Sequence, residues 1–418
     1  MEDTLDGQRI AIVGGGLIGL FSAYYLAERG ANVVIVERKR LGSGAARGNG
    51  GLIVWTECTP LAGPGVLGHT LRTLFSRTSP FFVKPTSLLE NAGFLYSFAR
   101  QCSERAFRQN LARLDFLNRR TEKLYQALKE NGVGTRIAPI GILRVFASKE
   151  AALADRALLA ELAGRGLGPP PGPLMEDGEL RAFEPAQAGA ARAGFVQEGE
   201  AFTNPSVTVD ELIAAVRAKG VEICEDAAVT DIIEDGRSVR VIAGGRDVRA
   251  DKCLLAAGAW SRDLARRLGL DLTLVPGKGY SFSVRPAVVP ERAIALGDAH
   301  AGATPLGGGR LRFAGTMEFD GSYDRFNPRR IAAIKAAAAP YFHGIDWEAS
   351  EDEWVGPRPM TPDGAPFIGK VPGRERTFIA AGHNMLGLSL GPATGTVVAE
   401  MMAGIAEPAL LEALSPKR

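Results

Sequence analysis

Cysteine is scarce in this chain of 418 residues, and no two of its four cysteines form a C-x-x-C pair. Neither a zinc ribbon nor a disulfide framework is indicated, so no metal site is expected and a reducing compartment, the cytoplasm, is the expected location. Net charge is also small, because 49 basic residues nearly cancel 47 acidic ones to leave +2. Without a strong positive field, no nucleic-acid partner is expected. The cysteines are Cys58, Cys102, Cys224 and Cys253.

Long uncharged runs are rare, but one of 18 residues occupies positions 10–27 and approaches the length of a membrane span. It joins the β-type stretch RIAIV, three consecutive glycines and the helical stretch LFSAYYLAERG. The preceding MEDTLD is acidic and lacks the basic flank of a signal peptide. Consecutive glycines suit a turn, so the run predicts a strand, a turn and a helix rather than a spanning segment.

Glycine is abundant, at 51 residues, and three of them form a recognisable motif. Gly14, Gly16 and Gly19 give G-x-G-x-x-G between the first strand and the helix. This pattern provides a tight turn, close approach to a pyrophosphate and close helix–strand packing. Glu37 ends the second strand, where a carboxylate accepts from both ribose hydroxyls and repels a 2′-phosphate. The pattern predicts nucleotide binding without separating NAD from FAD, and a generic glycine turn with a solvated Glu37 is the structural alternative.

The rest of the chain alternates helical and β-type periodicity without internal repeats. The pattern predicts helices over about 87–131, 208–220 and 391–404, a breaker-rich loop over 164–173, a β meander over 221–258, β structure over 272–320, and strands at GILRVFAS and TFIAAG.

Several segments together resemble one protein family across nearly the whole chain. These are VGGGLIGLFSAYYLAERGANVVIVE, GSGAARGNGG, KCLLAAGAW, PGKGYSF, WVGPRPMTPDGAPFIG and AAGHNMLGLSLGPATG, in that order. They resemble the D-amino-acid oxidase-like FAD-dependent oxidoreductases, most of all the bacterial D-amino-acid dehydrogenases, including members similar to D-hydroxyproline dehydrogenase. Glycine and sarcosine oxidases are more distant. The resemblance implies FAD as the cofactor, and no covalent link is expected because the C-terminal loop has no cysteine.

The same resemblance implies an α/β fold with two interleaved domains. A Rossmann-like FAD-binding domain is expected from residues 1–65, 205–265 and 355–418. A second, α+β substrate-binding domain, built on a mostly antiparallel sheet, is expected from residues 66–204 and 266–354.

Arg358 lies between two prolines in GPRPMTPDG. This rigid backbone would hold a guanidinium in one direction, as bidentate capture of a carboxylate requires. The resemblance implies that Arg358 binds the substrate carboxylate; the structural alternative is an arginine that ties down neighbouring carbonyls. Related glycine oxidases carry a second arginine in the later loop, where this chain has Met385. A clamp of two arginines is therefore not expected.

Two further residues have open roles. His383 is one of four histidines and is read either as a general base beside the flavin or as a histidine satisfied by the backbone. Tyr280, in KGYSF, is read either as a substrate contact or as a core tyrosine. Besides the residues named above, the resemblance implies cofactor contacts from Leu17, Ile18, Arg38, Ser43, Asn49, Gly50, Gly51, Leu52, Val229, Ala257, Gly258, Gly382, Asn384, Leu386, Gly387 and Leu388.

The expected chemistry is oxidative deamination of a D-amino acid, with D-proline and D-hydroxyproline as fitting substrates. The Cα hydride would pass to flavin N5, leaving an imine that water converts to a 2-oxo acid, and no protein nucleophile is required. Two alternatives remain open. One is an oxidase of glycine or sarcosine that uses oxygen, and the other is a flavin-holding subunit with little turnover.

A basic stretch at residues 70–125 provides an argument about membrane contact and hence about the electron acceptor. Residues 70–125 contain ten Lys or Arg and four Asp or Glu, a local charge of 10 − 4 = +6. The same stretch holds the apolar tip SPFFVKP, flanked by Arg77 and Lys84. Such a surface attracts anionic lipid, and the structural alternative is a solvated helical face together with a core loop. The resemblance to D-amino-acid dehydrogenases favours peripheral contact with the inner membrane and a quinone as acceptor.

Overall fold

The computed structural model describes residues 4–54, 60–64, 66, 81–166 and 168–418. Cys58, Arg72, Arg77 and the first two residues of the apolar tip at 79–85 lie outside the described residues. The strands are β1 (Arg9–Val13), β2 (Asn32–Val36), β3 (Leu52–Ile53), β4 (Phe81–Val83), β5 (Ile142–Phe146), β6 (Met175–Glu176), β7 (Ala193–Gln197), β8 (Ala201–Phe202), β9 (Glu222–Cys224), β10 (Val229–Glu234), β11 (Val239–Ala243), β12 (Arg246–Ala250), β13 (Lys252–Leu255), β14 (Val275–Val284), β15 (Ile294–Leu296), β16 (Ala301–Gly307), β17 (Arg310–Phe319), β18 (Glu351–Met360), β19 (Phe367–Lys370) and β20 (Thr377–Ala381).

Helices pack against both of the large sheets. They are α1 (Leu17–Glu28), α2 (Ala92–Gln101), α3 (Glu104–Glu130), α4 (Lys149–Gly164), α5 (Asp177–Phe183), α6 (Pro205–Ala218), α7 (Ser261–Arg267), α8 (Pro328–Ala338), α9 (Gly391–Ala403) and α10 (Pro408–Ala413), with 3-10 turns at Pro85–Ser87, Gly258–Trp260 and Ala339–Tyr341.

The first sheet has six strands in the order β19-β20-β13-β1-β2-β9. All neighbouring pairs are parallel except β19 with β20. Its inner strands are apolar along nearly their whole length, as NVVIV of β2 illustrates, because both faces of the sheet are covered. Helices α1, α6 and α9 cover one face, and the strands β10 and β11 with helix α7 cover the other. Helix α1 packs closely on α9, where a Cβ at Gly395 would lie 2.6 Å from the carbonyl oxygen of Phe21. The β-α-β unit predicted from the first glycines is confirmed.

The second sheet has nine strands, in the order β18-β14-β17-β16-β15-β5-β7-β6, and β4 also pairs with β17. Most neighbours are antiparallel, and the exceptions are β15 with β5 and β4 with β17. Strands β10, β11 and β12 form the predicted meander, and β3 pairs with β8. The predicted α/β fold class, with sheets of mixed orientation, is confirmed.

Most boundaries agree with the sequence pattern, and two differ for local reasons. Helix α6 begins at Pro205 rather than 208, because Asn204 caps it by accepting a hydrogen bond from the amide of Ser206. The region predicted helical over 87–131 divides at Ser103, whose hydroxyl caps α3.

Strand β18 runs across the predicted domain boundary at residue 355. It remains paired with β14 as far as Met360, so Arg358 belongs to the nine-stranded sheet. The boundaries of the two domains stay a prediction. Among the described residues, no helix is both long and apolar enough to cross a membrane.

Candidate active site

A cavity of about 1150 Å³ lies between the carboxyl ends of the six-stranded sheet and one face of the nine-stranded sheet. Such a position, outside the carboxyl ends of parallel strands, is where open α/β sheets bind ligands. Most of the residues predicted from the sequence meet there. The lining includes Gly14, Gly16, Leu17, Ile18, Glu37, Arg38, Ser43, Asn49, Gly50, Gly51, Leu52, Val229, Ala257, Gly258, Tyr280, Arg358, His383, Asn384, Met385, Leu386, Gly387 and Leu388.

The glycine turn brings chain segments too close for side chains. Gly14 has φ +110°, and a Cβ there would lie 2.6 Å from the carbonyl oxygen of Ala256. A Cβ on Gly19 would overlap the carbonyl oxygen of Gly14. Gly19 does not line the cavity, so its part in the motif is the packing of α1 on β1. Gly16 has open space beside it, at the amino end of α1.

Glu37 lines the cavity with a carboxylate that is already hydrogen-bonded. Its Oε2 accepts from the amide of Gly15 at 2.7 Å, and its Oε1 accepts from the amide of Lys39 at 2.9 Å. The carboxylate therefore holds the glycine turn against the end of β2, and contact with a ribose stays a prediction. Beside it, the guanidinium of Arg38 lies 3.6 Å from the ring centre of Trp260, which adds a flat wall to the cavity.

The loop at residues 42–51, with the sequence GSGAARGNGG, is held in place by side chains of the nine-stranded sheet. Ser281 on β14 donates to the carbonyl of Gly48 at 2.8 Å, and Thr304 on β16 donates to the carbonyl of Gly50 at 2.6 Å. Arg312 on β17 donates to the carbonyl of Arg47 at 2.7 Å. The loop thus crosses the face of the sheet with its carbonyls bound.

The loop at residues 382–390, which joins β20 to α9, is held in place by the side chain of Asn384. Asn384 has φ +52°, and its side-chain amide donates to the carbonyls of Gly364 at 2.8 Å and Gly382 at 2.9 Å, while its Oδ1 accepts from the amide of Thr361 at 2.9 Å. The side chain of Asn384 is therefore structural. Gly382 does not line the cavity, and its φ of +85° makes the turn that places the next residues there. The lining continues to Leu388, whose carbonyl accepts from Tyr125 at 2.5 Å.

His383 is 2% exposed and its Nε2 lies 2.9 Å from the hydroxyl of Thr394. Burial lowers the pKa of His383 to about 3. The imidazole is therefore neutral at neutral pH, and so weak a base is poorly matched to proton abstraction there. The geometry agrees with the reading of His383 as a satisfied histidine, with a side-chain hydroxyl as its partner in place of the backbone.

Tyr280 lines the cavity but directs its hydroxyl into a buried charged cluster. The phenol donates to Glu318 at 2.5 Å, and burial raises the pKa of Tyr280 well above its usual value. Lys278, fully buried, lies 3.1 Å from Glu318 and 2.9 Å from Asp320. Since the phenolic proton is engaged by Glu318, Tyr280 has the partner expected of a core tyrosine, and its role toward a substrate stays a prediction.

Arg358 supplies a cation to the cavity. Its Nη1 donates to the carbonyl of Thr316 at 2.6 Å, and burial lowers its pKa to about 10. No carboxylate within the described ranges forms an ion pair with it. The guanidinium lies over the backbone of Gly279, where any Cβ would overlap it. An arginine in this setting remains able to bind an anion.

Several residues of the site were not identified from the sequence. Among them, Thr316, Trp260 and Trp354 line the cavity, and Gly279 lies against the guanidinium of Arg358. Gly279 and Trp354 lie within segments that carry the family resemblance, PGKGYSF and WVGPRPMTPDG, which is a signal that could have marked them. Trp260 is the last residue of another such segment, KCLLAAGAW. No pattern in RLRFAGTMEF marks Thr316, because its importance depends on strand pairing.

The residues present fit an FAD. The glycine turn leaves free space at Gly16 beside the amino end of α1, which suits a pyrophosphate. A Cβ at Gly48 would overlap the ring of Trp354, so this loop passes closely over the sheet and leaves the cavity open. The cavity is of the size that ligands of this class require and continues from the glycine turn to Arg358.

Comparisons with known proteins agree with this geometry. The chain is 30% identical to a D-amino acid dehydrogenase of Xylella fastidiosa (strain M12), over 94% of this chain and 92% of that protein. It is 31% identical to a D-amino acid dehydrogenase of Rhizorhabdus wittichii, over 95% of this chain and 96% of that protein.

Solved structures are similar as well. Glycine oxidase from Geobacillus kaustophilus superposes with a TM-score of 0.72 at 26% identity, covering 98% of this chain and 99% of that one. Glycine oxidase from Bacillus cereus superposes with a TM-score of 0.74 at 22% identity, covering 97% and 98%. The family model described as FAD dependent oxidoreductase matches residues 9–401. The prediction of FAD as the cofactor is confirmed, and this chain belongs to the FAD dependent oxidoreductase family.

Proposed function

We propose that this FAD-dependent amino acid oxidoreductase is a D-amino acid dehydrogenase in which Arg358 binds the carboxylate of the substrate. The observation that carries the proposal is the guanidinium of Arg358, which lines the cavity and has no anionic partner among the described residues. Burial lowers the pKa of Arg358 to about 10, so the group is still cationic at neutral pH. A partly buried cation without an anionic partner is costly, and a bound carboxylate would offset that cost. The curated relatives at about 30% identity are D-amino acid dehydrogenases, which favours this reaction.

The protein residues contribute positioning rather than covalent chemistry. Arg358 holds the carboxylate, and Thr316 and Gly279 fix the direction of its guanidinium. His383 stays neutral because burial lowers its pKa to about 3, so it adds no charge beside the substrate. Bound FAD supplies a two-electron acceptor for the hydride that leaves Cα. The residues proposed to hold FAD are those of the glycine turn, the loop at 43–52 and the loop at 383–388.

A second candidate is an oxidase that passes its electrons to oxygen. Two of the similar solved structures are glycine oxidases, and this likeness concerns the fold. Met385, half exposed at the cavity, stands where a second arginine is expected in glycine oxidases, which disfavours this candidate. A flavin-holding subunit without turnover is disfavoured by Arg358, a cation in the cavity that has no anionic partner in the described part of the chain.

An anaerobic bleaching screen tests the proposal. The holoenzyme is mixed with D- and L-enantiomers of alanine, proline and hydroxyproline, and the flavin absorbance is followed. We expect bleaching by D-enantiomers only and slow recovery in air, with faster recovery when a soluble quinone is added. Recovery in air at the full turnover rate would favour the oxidase. Absence of bleaching with every amino acid would contradict the enzymatic proposal.

The expected membrane contact belongs to the same proposal. On the surface near the apolar tip, Leu89 is 90% exposed and Tyr96 is 66% exposed. Arg100 lies 5.9 Å from the ring centre of Tyr96, so apolar and basic groups share this surface. Basic residues near lipid contribute about 1 kcal/mol each to binding of anionic membranes. We expect the protein to float with anionic vesicles at low salt and to be released by salt; no flotation at low salt would contradict it.

A further inference from the structure

Two glycines of β14 leave room for side chains of the neighbouring strands. Gly277 and Gly279 are two residues apart, so they lie on the same face of the strand. A Cβ on Gly279 would overlap the guanidinium of Arg358, and a Cβ on Gly277 would lie 2.6 Å from a sulfur atom, the Sδ of Met317. The guanidinium and the thioether therefore lie side by side over bare backbone, with Nη1 of Arg358 3.6 Å from Sδ of Met317.

A β-bulge in β17 accounts for the position of Met317. Thr316 and Met317 together face the single residue Gly279 of β14. A bulge of this kind places an extra residue in one strand and redirects its neighbours. The carbonyl of Thr316 accepts a hydrogen bond from Arg358, and the next side chain, that of Met317, contacts the same guanidinium. Since Met317 also lines the cavity, an apolar side chain lies directly beside the cation of the site.

Met317 belongs to a hydrophobic cluster that reaches one wall of the cavity. The cluster packs between helix α2 and the strands β14, β17 and β18. In the pairing of β4 with β17, Phe81 is directly opposite Met317. Five residues in this cluster or packed against it line the cavity, and we call them the apolar patch: Leu61, Val66, Phe81, Phe98 and Met317.

The other charged side chains of the cavity lie away from the apolar patch. Within the described residues, the lining contains five Asp, Glu, Lys or Arg besides Arg358. One of them, Arg144, is on β5, three strands from β17 in the sheet, and pairs with Asp155. The other four lie just after β2 or on α7, beside the six-stranded sheet: Glu37, Arg38, Asp263 and Arg267. A ligand group at the patch therefore meets apolar surface and a single cation.

We propose that the apolar patch binds the side chain of the substrate, so that the preferred substrates are amino acids with an uncharged, apolar side chain. This proposal rests on the proposed role of Arg358 as the carboxylate ligand. In an α-amino acid the carboxylate and the side chain are bonded to the same carbon, so a carboxylate on Arg358 brings the side chain close to Met317. Apolar side chains gain free energy by leaving water there, whereas a charged side chain loses its hydration without gaining an opposite charge.

Equilibrium binding of three carboxylates to the holoenzyme tests the proposal. Propionate has a short apolar chain, and 4-methylpentanoate and succinate are the deaminated forms of leucine and aspartate, which are similar in shape. The visible flavin absorbance reports each dissociation constant, and the flavin stays oxidised because these ligands have no amino group. We expect 4-methylpentanoate to bind roughly tenfold more tightly than propionate and roughly a hundredfold more tightly than succinate. Equal affinities for 4-methylpentanoate and succinate would overturn the proposal.

Met317→Ala removes the part of the patch that contacts Arg358. We expect the affinity for 4-methylpentanoate to fall roughly tenfold, while that for propionate stays within about threefold of the parent. The ratio of the two affinities is the readout, because a disturbed Arg358 would weaken both carboxylates alike. Met317→Leu keeps an apolar side chain of similar volume and should restore the parental ratio. If Met317→Ala does not retain FAD, Met317→Gln, which adds a polar amide at similar length, provides the same comparison.

Met360→Ala is the matched control. Met360 belongs to the same hydrophobic cluster and also lies 2.6 Å from the Cβ position of Gly277, but it does not line the cavity. The same side chain is removed from the same core, so we expect the parental ratio of affinities in this variant. A parental ratio in the Met317 variants, or an equal fall in Met360→Ala, would overturn the role of the patch. Weaker FAD binding in the Met317 variants with a parental ratio would assign the patch to the cofactor instead.

The outcomes separate this proposal from the proposed function. Parental affinity for propionate in Arg358→Ala would overturn the carboxylate site itself. Anaerobic bleaching of the flavin by D-leucine and not by D-aspartate would support both proposals. Absence of bleaching with either, together with the expected preference for 4-methylpentanoate and its loss in Met317→Ala, would contradict the dehydrogenase and still support the apolar patch as a binding surface.

Discussion

The glycine turn at residues 14–19 lies at one end of the cavity. A β-bulge at Thr316, where two residues of β17 face one residue of β14, lies at the other end. Both need backbone to approach another group more closely than a side chain allows. In the turn, Gly14 and Gly19 remove the Cβ, and the positive φ of Gly14 is without strain. In the bulge, a β-branched residue accepts a strained φ, and the missing Cβ is that of Gly279 on the neighbouring strand. The end proposed to bind the nucleotide, called here the nucleotide end, is therefore specified by neighbouring residues in the chain. The end proposed to bind the substrate, called here the substrate end, is specified by strand pairing.

The charged groups at the two ends differ in the same way. Glu37 at the nucleotide end has both carboxylate oxygens bound by backbone amides. Arg358, at the end proposed to bind the substrate, has one carbonyl as its oxygen partner among the described residues. The bound carboxylate of Glu37 therefore holds the backbone in place, whereas the remaining N–H donors of Arg358 can bind an anionic ligand.

The largest expected effect comes from the nucleotide end. Gly19→Ala places a Cβ on the carbonyl oxygen of Gly14, which must force α1 away from β1. Overpacking of this kind costs about 1–3 kcal/mol of unfolding free energy, and we expect most of the FAD to be lost as well. Thermal unfolding and the ratio of flavin to protein absorbance measure both.

Gly16→Ala serves as the matched change, because open space surrounds that position. It should weaken FAD binding without lowering the unfolding temperature of the FAD-free protein. A normal flavin content and melting temperature in Gly19→Ala would show that this end tolerates a side chain after all.

The next effect is at the substrate end. Arg358→Ala removes a charge-assisted contact to the carboxylate, and we expect kcat/KM to fall roughly a hundredfold or more with FAD content unchanged. Steady-state kinetics with an artificial electron acceptor measure the change. Arg358→Lys should recover only part of the loss, because an ammonium lacks the planar fork of the guanidinium. Unchanged kinetics in a correctly folded Arg358→Ala protein would discard the role.

Gly279→Ala should have a smaller effect of the same kind. Its Cβ would occupy the position of the Arg358 guanidinium, which must move away from the carbonyl of Thr316. We expect KM to rise roughly tenfold, with less change in kcat and no loss of FAD. Gly189→Ala is the control, since nothing lies within 4 Å of a Cβ there. Equal kinetic constants in the two variants would contradict the positioning role of Gly279.

The smallest effect concerns pH. Burial lowers the pKa of His383 to about 3, so this side chain stays neutral from pH 5 to pH 9 and does not titrate in that window. We expect Asn or Gln at position 383 to leave the shape of the kcat profile unchanged between these limits. Loss of an acidic limb near pH 6.5 in the His383→Gln profile would indicate a histidine that ionises during turnover.

Local residue patterns predicted the β-α-β unit that carries the glycine turn. The strand RIAIV, the glycines and the helix that follows specify a β-α-β unit by their periodicity and by the absence of side chains where chains meet. Resemblance added the loops at 43–52 and 382–388. Of all the residues predicted to contact the cofactor, only Gly19 and Gly382 do not line the cavity, and both act on the backbone beside it.

The sequence by itself determined the presence of a nucleotide-binding unit, because the residue types required there are adjacent in the chain. It also marked Arg358, since the two flanking prolines restrict the backbone at that point. Only the tertiary structure decided which groups surround that arginine. Gly279, Thr316 and Arg358 come from three strands, and a shift of one residue in the register of β14 against β17 would separate them. Register depends on the packing of the whole sheet, which no local pattern of residues records.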